Sequence, residues 1–515
     1  MYLTQGLHRA ARQTPDLPAT IHGDRTWTWA ESRDRVARFA SALRELGLEA
    51  GGRVAMLALN SDRYHEYLLA VPWAGGIVVP VNVRWSAAEV AFALEDSGAT
   101  ILLIDDTMLP LLPQVRTAAP VLRHVVHVGD GPTPEGTLPY EALVETHAPV
   151  VDAMRGGDDP YGIYYTGGTT GTPKGVVLSH ANLLVSALGM LATGDLMRPG
   201  GRLLHAAPMF HIADGAAWVA CTVLGGTHVI VPSFTPTGVA EAIEHHRITD
   251  ALLVPTMIQL LVDDPATRDA DLSSLRTLIY GASPISAAVL DRASARLPGV
   301  GFTQAYGMTE LAPVATLLLP ADHATEHLRR SAGRAAPHAE VRIVDEDDHE
   351  VERGTIGEIV VRGGHVMQGY WNRPEATAEA LRGGWMHTGD AGRMDDDGYV
   401  YVVDRIKDMI VTGAENVYSV EVENALSSHA AVASCAVIGL PDEQWGERVH
   451  AVVVLRDGCT PPVEELREHV AARIARFKAP RSVEFVAALP ISGAGKVLKR
   501  ELRAPYWEAQ SRQVS

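Results

Sequence analysis

Apolar residues recur at helical spacing in some segments of the chain and cluster as short strands in others. In WAESRDRVARFASALRELG, Val36, Phe39, Leu43 and Leu46 fall on one face with charged residues on the other, which predicts an amphipathic helix. Strand-like apolar runs follow repeatedly, namely RVAMLAL, GGIVVPV, ATILLID and HVVHVG. This alternation predicts an α/β fold in which helices cover parallel sheets.

The pattern changes after about residue 330. AEVRIVDEDD, GEIVVRG and GYVYVVDR read as short strands separated by turns rich in Asp and Gly, so a β-rich subdomain is expected over about residues 330–403. Beyond Arg405, the helix patterns VEVENALSSH and VEELREHVAARIARF accompany the strands SCAVIGL and HAVVVL. We therefore predict a large N-terminal domain over residues 1–403 and a small α+β domain over residues 404–515, with the boundary at Asp404.

Composition narrows the class of protein. The formal net charge of −18 argues against broad binding to nucleic acid or to an anionic membrane, because both partners need a positive face. Cys221, Cys435 and Cys459 are far apart and lack C-x-x-C spacing, which suggests neither a disulfide framework nor a zinc site. No apolar run has the length of a bilayer span, and the N-terminus lacks the apolar core of a signal peptide. A cytoplasmic protein without a membrane span is expected.

The segment YYTGGTTGTPKGV, from Tyr164 to Val176, concentrates glycine and threonine around one lysine. Strand patterns on both sides, GIYY and GVVLSH, predict a strand-to-strand turn. Glycines allow close backbone approach and threonines offer hydroxyls beside exposed N–H groups, which indicates a phosphate cradle with Lys174 as its charge. A flexible hairpin tip is the alternative. A Walker loop is disfavoured, because counting from Gly168 places Pro173 where that pattern needs glycine.

This loop resembles the signature loop of the adenylate-forming (ANL) superfamily of acyl-CoA synthetases, luciferases and nonribosomal peptide synthetase adenylation domains. Gly167 stands where the family usually has serine, so one hydroxyl contact to phosphate is missing or replaced by the backbone. The resemblance implies that Thr170 also lies at a bound Mg²⁺. It implies ATP contacts from these loop residues: Thr166, Gly167, Gly168, Thr169, Thr170, Gly171 and Lys174.

The family's other motifs occur in order. YGMTE resembles the element in which Tyr306 packs on adenine, Thr309 contacts the α-phosphate and Glu310 carries Mg²⁺. Alone, this segment could be an ordinary turn. By the same resemblance, the nucleotide-binding set includes further residues of GAS and YGM: Gly281, Ala282, Ser283, Gly307 and Met308.

Three later motifs complete the series. In HTGD, Asp390 matches the carboxylate that binds the ribose hydroxyls of the nucleotide. Asp404 matches the family's hinge residue, and Arg405 matches an arginine that contacts the ribose. Lys496 in GKVLKR matches the mobile catalytic lysine. Singly, a Gly-Asp pair is usually a turn and a lysine is usually on the surface. Their order favours the family assignment, and the resemblance covers about residues 20 to 505.

The resemblance implies a reaction in two steps. The acid's carboxylate attacks the α-phosphorus of ATP, and Lys174 together with Mg²⁺ on Glu310 neutralises the departing pyrophosphate while Lys496 stabilises the reacting carboxylate. A thiol then attacks the acyl-adenylate and expels AMP. For this second step the C-terminal domain rotates about Asp404. A loop then takes the place of Lys496 in the site. It comprises Gly413, Ala414, Glu415, Asn416 and Val417. Ala414 stands where the family usually has glycine, and Ser419, two residues after the loop, stands where it usually has proline.

His211 in PMFHIADG matches the family's gating position beside the acyl site, although such a histidine could instead be a core residue. Amino-acid-activating relatives commonly have Asp after the residue corresponding to Phe210. His211 stands there instead. The nearby Asp214 keeps amino acids from being excluded as substrates, but an acid without an α-amine is favoured. The expected acyl pocket comprises Phe210, His211, Asp214, Gly215, Val254, Gly281 and Gly307.

The segments expected around this pocket consist mainly of apolar and small residues, and such a lining suits a fatty acid or a bulky cyclic or aromatic acid. The small residues could equally serve close backbone packing. CoA is the preferred acceptor, so the expected ligands are ATP, Mg²⁺ and CoA as co-substrate. The alternatives are an acyl-AMP ligase that loads a carrier protein and a degenerate nucleotide-binding protein. No zinc site is expected, because HEYLL has Leu69 where H-E-x-x-H needs histidine. The oligomeric state is open, and a homodimer is compatible with the sequence.

Overall fold

The computed structural model describes residues 1–166, 173–283, 285–412, 415–442, 445–492 and 497–511. The chain forms two compact units. Unit 1 comprises Met1–Val341 and Val361–Met386, and unit 2 comprises Arg342–Val360 and His387–Ser515. Unit 2 therefore includes β-rich segments that precede residue 404. The domain boundary at Asp404 stays a prediction.

The α-helices are α1 Gln5–Gln13, α2 Trp29–Glu45, α3 Asp62–Ala74, α4 Ala87–Ser97, α5 Leu112–Ala118, α6 Tyr140–Thr146, α7 His180–Leu191, α8 Ile212–Leu224, α9 Pro236–His246, α10 Pro255–Asp263, α11 Ala287–Arg296, α12 Pro374–Ala380, α13 Ser419–Ser427, α14 Val463–Ala471 and α15 Lys499–Ser511. Short 3₁₀ helices lie at Leu109–Leu111, Pro265–Thr267, Thr309–Leu311, Asp322–Ala324, Leu328–Arg330, Arg382–Gly384, Ile406–Asp408 and Arg476–Lys478.

The strands are β1 Pro18–His22, β2 Arg25–Thr28, β3 Arg53–Leu57, β4 Ile77–Pro80, β5 Ile101–Ile104, β6 His124–His127, β7 Leu138–Pro139, β8 Pro160–Thr166, β9 Lys174–Ser179, β10 Arg202–His205, β11 Thr227–Ile230, β12 Asp250–Leu252, β13 Thr277–Gly281, β14 Gly301–Tyr306, β15 Thr316–Leu318, β16 Arg334–Ala335, β17 Glu340–Val344, β18 Gly357–Arg362, β19 Gly369–Tyr370, β20 Met386–Met394, β21 Val400–Arg405, β22 Ile410–Thr412, β23 Glu415–Val417, β24 Val432–Asp442, β25 Gly446–Leu455 and β26 Ser482–Phe485.

Two large sheets form the framework of unit 1. Over the described residues, one has the strand order β16-β15-β14-β13-β12-β10-β11-β1-β2 and the other β19-β9-β8-β4-β3-β5-β6-β7. Both are parallel in the middle and antiparallel at an edge, for instance where β9 pairs with β8 and β19. A hairpin connection is too short for a crossover helix, so β8 and β9 must run antiparallel.

The core of unit 1 lies between these sheets' apolar faces and the helices that cover them. One cluster packs Leu204, Leu278 and Tyr280 of the first sheet with Ile243 of α9 and Leu290 of α11. A second cluster packs residues of β3, β4 and β5 against α4 and α5. Burial of these apolar faces supplies most of the stability of such a layered fold.

Helix α2 illustrates how the sequence pattern becomes packing. Val36, Phe39 and Leu43 are fully buried, and Leu46 lies just beyond the helix end and is half-buried. Thr28 and Glu31 form a capping box that satisfies backbone N–H groups at the first turn. The predicted amphipathic helix is therefore confirmed. The capping box marks its N-terminus, and its apolar face is buried.

Unit 2 contains most of the sheet β17-β18-β20-β21 and a second sheet in which β23-β22-β25-β24 are joined by β26 alongside β25. Its core gathers apolar side chains of these strands and of α13 and α14, including Val417, Val422, Leu426, Val453 and Leu466. The expected fold class, with large helix-covered sheets and a smaller α+β portion, is confirmed. No helix within the described ranges has the length and apolar character to cross a bilayer.

Candidate functional site

The glycine and threonine loop joins β8 to β9, as the sequence predicts. Thr166 ends β8 and pairs in register with Lys174 at the start of β9. The Thr166 Oγ1 hydroxyl lies 3.5 Å from the Lys174 carbonyl, to which it donates. The predicted phosphate contacts Gly167, Gly168, Thr169, Thr170 and Gly171 fall outside the described residues.

Lys174 and Glu310 both contact Tyr370. The Lys174 Nζ atom lies 4.9 Å from the centroid of the Tyr370 ring. The Tyr370 hydroxyl donates to Glu310 Oε1 at 2.8 Å, and Glu310 is only 5% exposed. The structure thus places a cation and a carboxylate, predicted from separate motifs, at one tyrosine.

Strand pairing holds Tyr370 at this point. Strand β19 pairs antiparallel with β9, with Tyr370 opposite Val176. The Tyr370 N–H donates to Thr377 Oγ1 at 2.9 Å, which anchors the residue to α12. The Met367 N–H donates to the Glu310 carbonyl at 2.8 Å, so the segment carrying Tyr370 also fixes the Glu310 backbone.

The GAS and YGM segments of the predicted nucleotide-binding set begin at the ends of neighbouring strands. Strands β13 and β14 are parallel, with Gly281 opposite Ala305, so both strands end at the same edge of the sheet. A Cβ atom on Gly281 would lie 2.2 Å from the Ala305 carbonyl oxygen, and one on Gly307 would lie 2.0 Å from the Pro313 carbonyl oxygen. Both glycines therefore serve close backbone packing, the alternative that the sequence left open.

The remaining predicted residues near this edge follow the strands directly. Ala282 has a left-handed backbone with φ of 65°. Tyr306 ends β14, and Val254 immediately precedes α10. Ser283 follows β13, while Met308 and Thr309 begin the short 3₁₀ helix that carries Glu310. Their roles in binding a nucleotide or an acid stay predictions.

His211 is the N-cap residue of α8, directly before Ile212. Its Nδ1 accepts a hydrogen bond from the Ala213 N–H at 3.2 Å, so the imidazole caps the helix. Phe210 before it is buried. Gly215, one turn into α8, would bring a Cβ only into ordinary contact with Ile212, at 3.5 Å. The gate function of His211 stays a prediction.

Asp214 is engaged by the protein core. His205 Nδ1 and Asp214 Oδ2 are hydrogen-bonded at 2.7 Å, and both residues are almost fully buried. His205 Nε2 meets His228 Nδ1 at 2.9 Å, and His228 Nε2 meets the Thr222 hydroxyl at 3.2 Å. This chain ties the first turn of α8 to strands β10 and β11.

Histidines around this chain are kept neutral by burial. Burial lowers the pKa of His65 to about 3 and lowers the pKa of His228 well below its ordinary value. The Trp218 indole N–H donates to His65 Nδ1 at 3.0 Å. Asp214 was expected to line the acyl pocket, where it kept amino acids from being excluded; its Oδ2 is hydrogen-bonded to His205, and its role in the pocket stays a prediction.

In unit 2, the predicted ribose-binding residues contact each other. Asp390 in β20 pairs with Arg405 in β21, and Arg405 Nε lies 2.6 Å from Asp390 Oδ1. The predicted hinge residue Asp404 is buried and accepts from the Arg405 N–H at 2.7 Å and from the Ser419 N–H at the start of α13. Asp404 thus links the end of β21 to a helix N-terminus, where a carboxylate is favourable.

The predicted thioester-step loop follows β22 of unit 2 and includes β23. Strands β22 and β23 pair antiparallel, with Thr412 opposite Glu415, Val411 opposite Asn416 and Ile410 opposite Val417. Gly413 and Ala414 lie outside the described residues, as does Lys496. Lys499 Nζ forms an ion pair with Glu423 at 2.7 Å, which anchors the start of α15 to α13.

The residues around Glu310 fit a magnesium ion that arrives with a nucleotide. Mg²⁺ is usually held in such sites by one or two carboxylates plus phosphates and water, rather than by an all-protein cage. Glu310 supplies one oriented carboxylate. Within the described ranges, no group of three or more His, Cys, Asp or Glu residues could hold a metal ion. Thr170, the other predicted ligand, is outside those ranges.

Sequence reasoning missed two residues of this arrangement. Tyr370 contacts Glu310 across 60 positions, and a single tyrosine in a short strand carries no sequence signature. His205 lies nine residues before Asp214. His205 and Asp214, two of the three polar residues in the otherwise apolar stretch LLHAAPMFHIADGAAW, signal that each has a buried partner, but the sequence does not identify it.

Two family models match the chain. The model described as AMP-binding enzyme matches residues 7–371, and the model described as AMP-binding enzyme C-terminal domain matches residues 421–496. The first match contains Lys174, Glu310 and Tyr370.

Similar proteins cover nearly the whole chain. A feruloyl-CoA synthase from an Amycolatopsis species is 42% identical over 499 residues, covering 97% of this chain and 98% of that protein. A fatty acid–[acyl-carrier-protein] ligase from Streptomyces coeruleorubidus is 37% identical, covering 98% and 96%. The solved structure of an amide bond synthetase from Marinactinospora thermotolerans superposes with a TM-score of 0.88 at 32% identity, covering 98% and 100%.

The buried Asp214–His205 contact predicts a specific loss of stability. Asp214→Ala should destabilise unit 1 by about 2–3 kcal/mol, because it leaves His205 without its partner in a dry core. Asp214→Asn, which keeps a hydrogen-bonding side chain of similar size, should lose less. The measurement is the urea midpoint followed by tryptophan fluorescence, since Trp218 lies in the same cluster.

Glu340→Ala serves as the control, because it removes an exposed ion pair with Arg362. Surface pairs contribute less than about 1 kcal/mol, so this midpoint should hardly move. Equal shifts for Asp214→Ala and Glu340→Ala would contradict the structural role assigned to Asp214.

Proposed function

Because this chain belongs to the AMP-binding enzyme family, in the acyl-CoA synthetase branch of the adenylate-forming superfamily, we propose that it activates a hydrophobic carboxylic acid as an acyl-adenylate and transfers the acyl group to CoA. Family membership makes it an AMP-forming acid–thiol ligase.

One observation supports the assignment of residues above all others. Lys174 and Glu310 come from separate motifs and contact the ring and the hydroxyl of the same tyrosine. A cation beside an oriented carboxylate is the arrangement expected where a metal-bound triphosphate is held.

In the proposed first step, the substrate carboxylate attacks the α-phosphorus of ATP and the bond to the β,γ-pyrophosphate breaks. Lys174 stabilises the charge on the departing pyrophosphate, and Glu310 holds the metal. Magnesium, when bound, supplies neutralisation of phosphate charge. Tyr306 stacks on adenine, Asp390 and Arg405 contact the ribose, and Lys496 stabilises the reacting carboxylate.

In the proposed second step, the CoA thiol attacks the acyl carbonyl carbon and AMP leaves with the oxygen that joined it to the acyl group. Motion about Asp404 withdraws Lys496 and brings the loop between β22 and β23 to the site. The hydrogen bonds of buried Asp404 support its proposed role as a hinge, because the backbone could rotate there while the Asp404 carboxylate stays bonded to the start of α13.

The acid is proposed to lack an α-amine. A buried ammonium needs a carboxylate partner, and the predicted partner, Asp214, is 1% exposed with its Oδ2 hydrogen-bonded to His205. The names of the similar proteins, a feruloyl-CoA synthase and a fatty acid ligase, support the classes already favoured by the apolar pocket sequence. A fatty acid or an aromatic or cyclic acid is therefore proposed.

CoA is the proposed acceptor, and a carrier protein is the second candidate because one similar protein is named as a carrier-protein ligase. The free cysteines Cys221, Cys435 and Cys459 support a reducing location, and a cytoplasmic protein is proposed.

The proposal predicts acid-dependent exchange of labelled pyrophosphate into ATP. Straight-chain acids of increasing length, cinnamic-type acids and cyclic acids form the test panel. Exchange should appear with at least one hydrophobic class and fall about a hundredfold in Glu310→Gln. Absence of exchange with every class would rule out the proposed activity.

The engaged state of Asp214 predicts discrimination against amino acids. If aromatic acids are substrates, 3-phenylpropanoic acid should exceed phenylalanine in kcat/KM by at least about a hundredfold, or about 2.7 kcal/mol. Asp214→Asn should leave this ratio unchanged. A ratio near one, or one that collapses in Asp214→Asn, would show that Asp214 serves an ammonium group.

Lys496→Ala should lower adenylation by about two to three orders of magnitude while thioester formation from supplied acyl-adenylate stays within a few-fold. Single-turnover assays of the two steps make the comparison. Arg500→Ala, at an exposed cation nearby, is the control. An equal loss in both steps would refute the role given to Lys496. Comparing CoA with a carrier protein in the second step distinguishes the two acceptors.

A further inference from the structure

We propose that Tyr370 is a positioning residue for metal-bound ATP: its hydroxyl orients the Glu310 carboxylate, and its ring holds the Lys174 ammonium until a phosphate replaces it. This inference rests on the proposed function, because it takes Glu310 as the metal-binding residue and Lys174 as the phosphate-binding one. It adds a residue that none of the sequence motifs identified.

The contact with Glu310 determines where its carboxylate points. Glu310 Oε1 accepts the Tyr370 hydroxyl at 2.8 Å, and the Glu310 carbonyl accepts the Met367 N–H at 2.8 Å. The same short segment, residues 367–370, therefore holds both the backbone and the side chain of Glu310. Residues that hydrogen-bond to a metal-binding side chain fix the orientation of that side chain and raise its affinity for the metal.

The contact with Lys174 keeps the ammonium available. Its Nζ lies 4.9 Å from the Tyr370 ring centroid, within the range of a cation–π interaction. In the described part of the chain, no carboxylate lies within 4.0 Å of this ammonium. A ring face attracts a cation less strongly than a phosphate does, so the ammonium can transfer to an incoming nucleotide without breaking an ion pair.

Strand pairing makes the arrangement rigid. Lys174 begins β9, and Tyr370 lies on β19 directly opposite Val176 of the same strand. The Trp371 N–H donates to the Gly175 carbonyl at 2.7 Å, which extends the pairing toward Lys174. The lysine and the tyrosine are thus held on neighbouring strands, and Glu310 is held by the tyrosine.

The chain offers a matched control for the hydroxyl. Tyr165 lies on β8, paired with Gly175 of β9, and its hydroxyl donates to Asp96 Oδ2 at 2.7 Å. It is also a half-buried tyrosine bonded to a carboxylate in the same sheet, but it contacts neither Glu310 nor the Lys174 ammonium. Tyr165→Phe therefore measures the general effect of losing such a bond.

The first experiment measures equilibrium binding and needs no acid. Mn²⁺ binding to the full chain is followed by electron paramagnetic resonance in the presence of α,β-methylene-ATP. Tyr370→Phe should weaken Mn²⁺ binding about tenfold, because an outer partner of a metal ligand is lost, while metal-free nucleotide binding stays unchanged. Tyr165→Phe should bind Mn²⁺ like the parent. Tyr370→Leu, which also removes the ring, should additionally weaken metal-free nucleotide binding several-fold.

Each outcome has one meaning. Unchanged Mn²⁺ affinity in Tyr370→Phe, or equal weakening in Tyr370→Phe and Tyr165→Phe, overturns the positioning role while leaving the proposed function intact. Failure of the parent protein to bind Mn²⁺ with the nucleotide overturns both, because Glu310 then holds no metal.

A second measurement separates positioning from general loss of structure. In pyrophosphate exchange, Tyr370→Phe should raise the Mg²⁺ concentration for half-maximal rate about tenfold and keep the rate at saturating Mg²⁺ within a few-fold of the parent. A fall in the saturating rate with an unchanged Mg²⁺ requirement would contradict the proposal.

Discussion

Strand β9 is paired on both edges, and this pairing brings the charged groups of the site together. On one edge, β8 places Thr166 opposite Lys174. On the other edge, β19 places Tyr370 beside the same strand, and Tyr370 in turn holds Glu310. Backbone hydrogen bonds of a sheet fix positions without depending on flexible side chains, so a lysine, a tyrosine and a glutamate distant in sequence share one location.

A second constraint acts on the helix beside the expected acyl pocket. Asp214, His205, His228 and Thr222 form a hydrogen-bonded chain through the core, and burial keeps the neighbouring His65 neutral. Buried polar groups that satisfy one another specify a single packing arrangement. The first turn of α8, which His211 caps, is consequently anchored to the sheet. The hydrogen bond to His205 fixes Asp214 Oδ2 within this anchored turn, and the role of the turn in selecting an acid stays a prediction.

The sequence predicted those features that depend on neighbouring residues. The hairpin around the glycine and threonine loop and the amphipathic helix α2 follow from local patterns, and both are confirmed. Lys174 was selected from the composition of its loop and Glu310 from the family resemblance, and neither source gives the geometry that joins them. Tyr370 could not be predicted, because its contact with Glu310 depends on how β19 joins the sheet. The close approach at Gly281 could not be chosen from the sequence, since only the register of β13 and β14 shows that its missing side chain makes room for the Ala305 carbonyl.

The account's central claim is that a substrate carboxylate attacks the α-phosphorus of ATP at the site built around Lys174 and Glu310. The most direct test supplies an accepted acid labelled with ¹⁸O in both carboxylate oxygens, together with ATP and CoA, and examines the products by mass spectrometry. The account predicts one ¹⁸O atom in AMP and one in the thioester carbonyl, because the bridging oxygen leaves with AMP. Label in inorganic phosphate, with unlabelled AMP, would place the attack at another phosphorus and contradict the account.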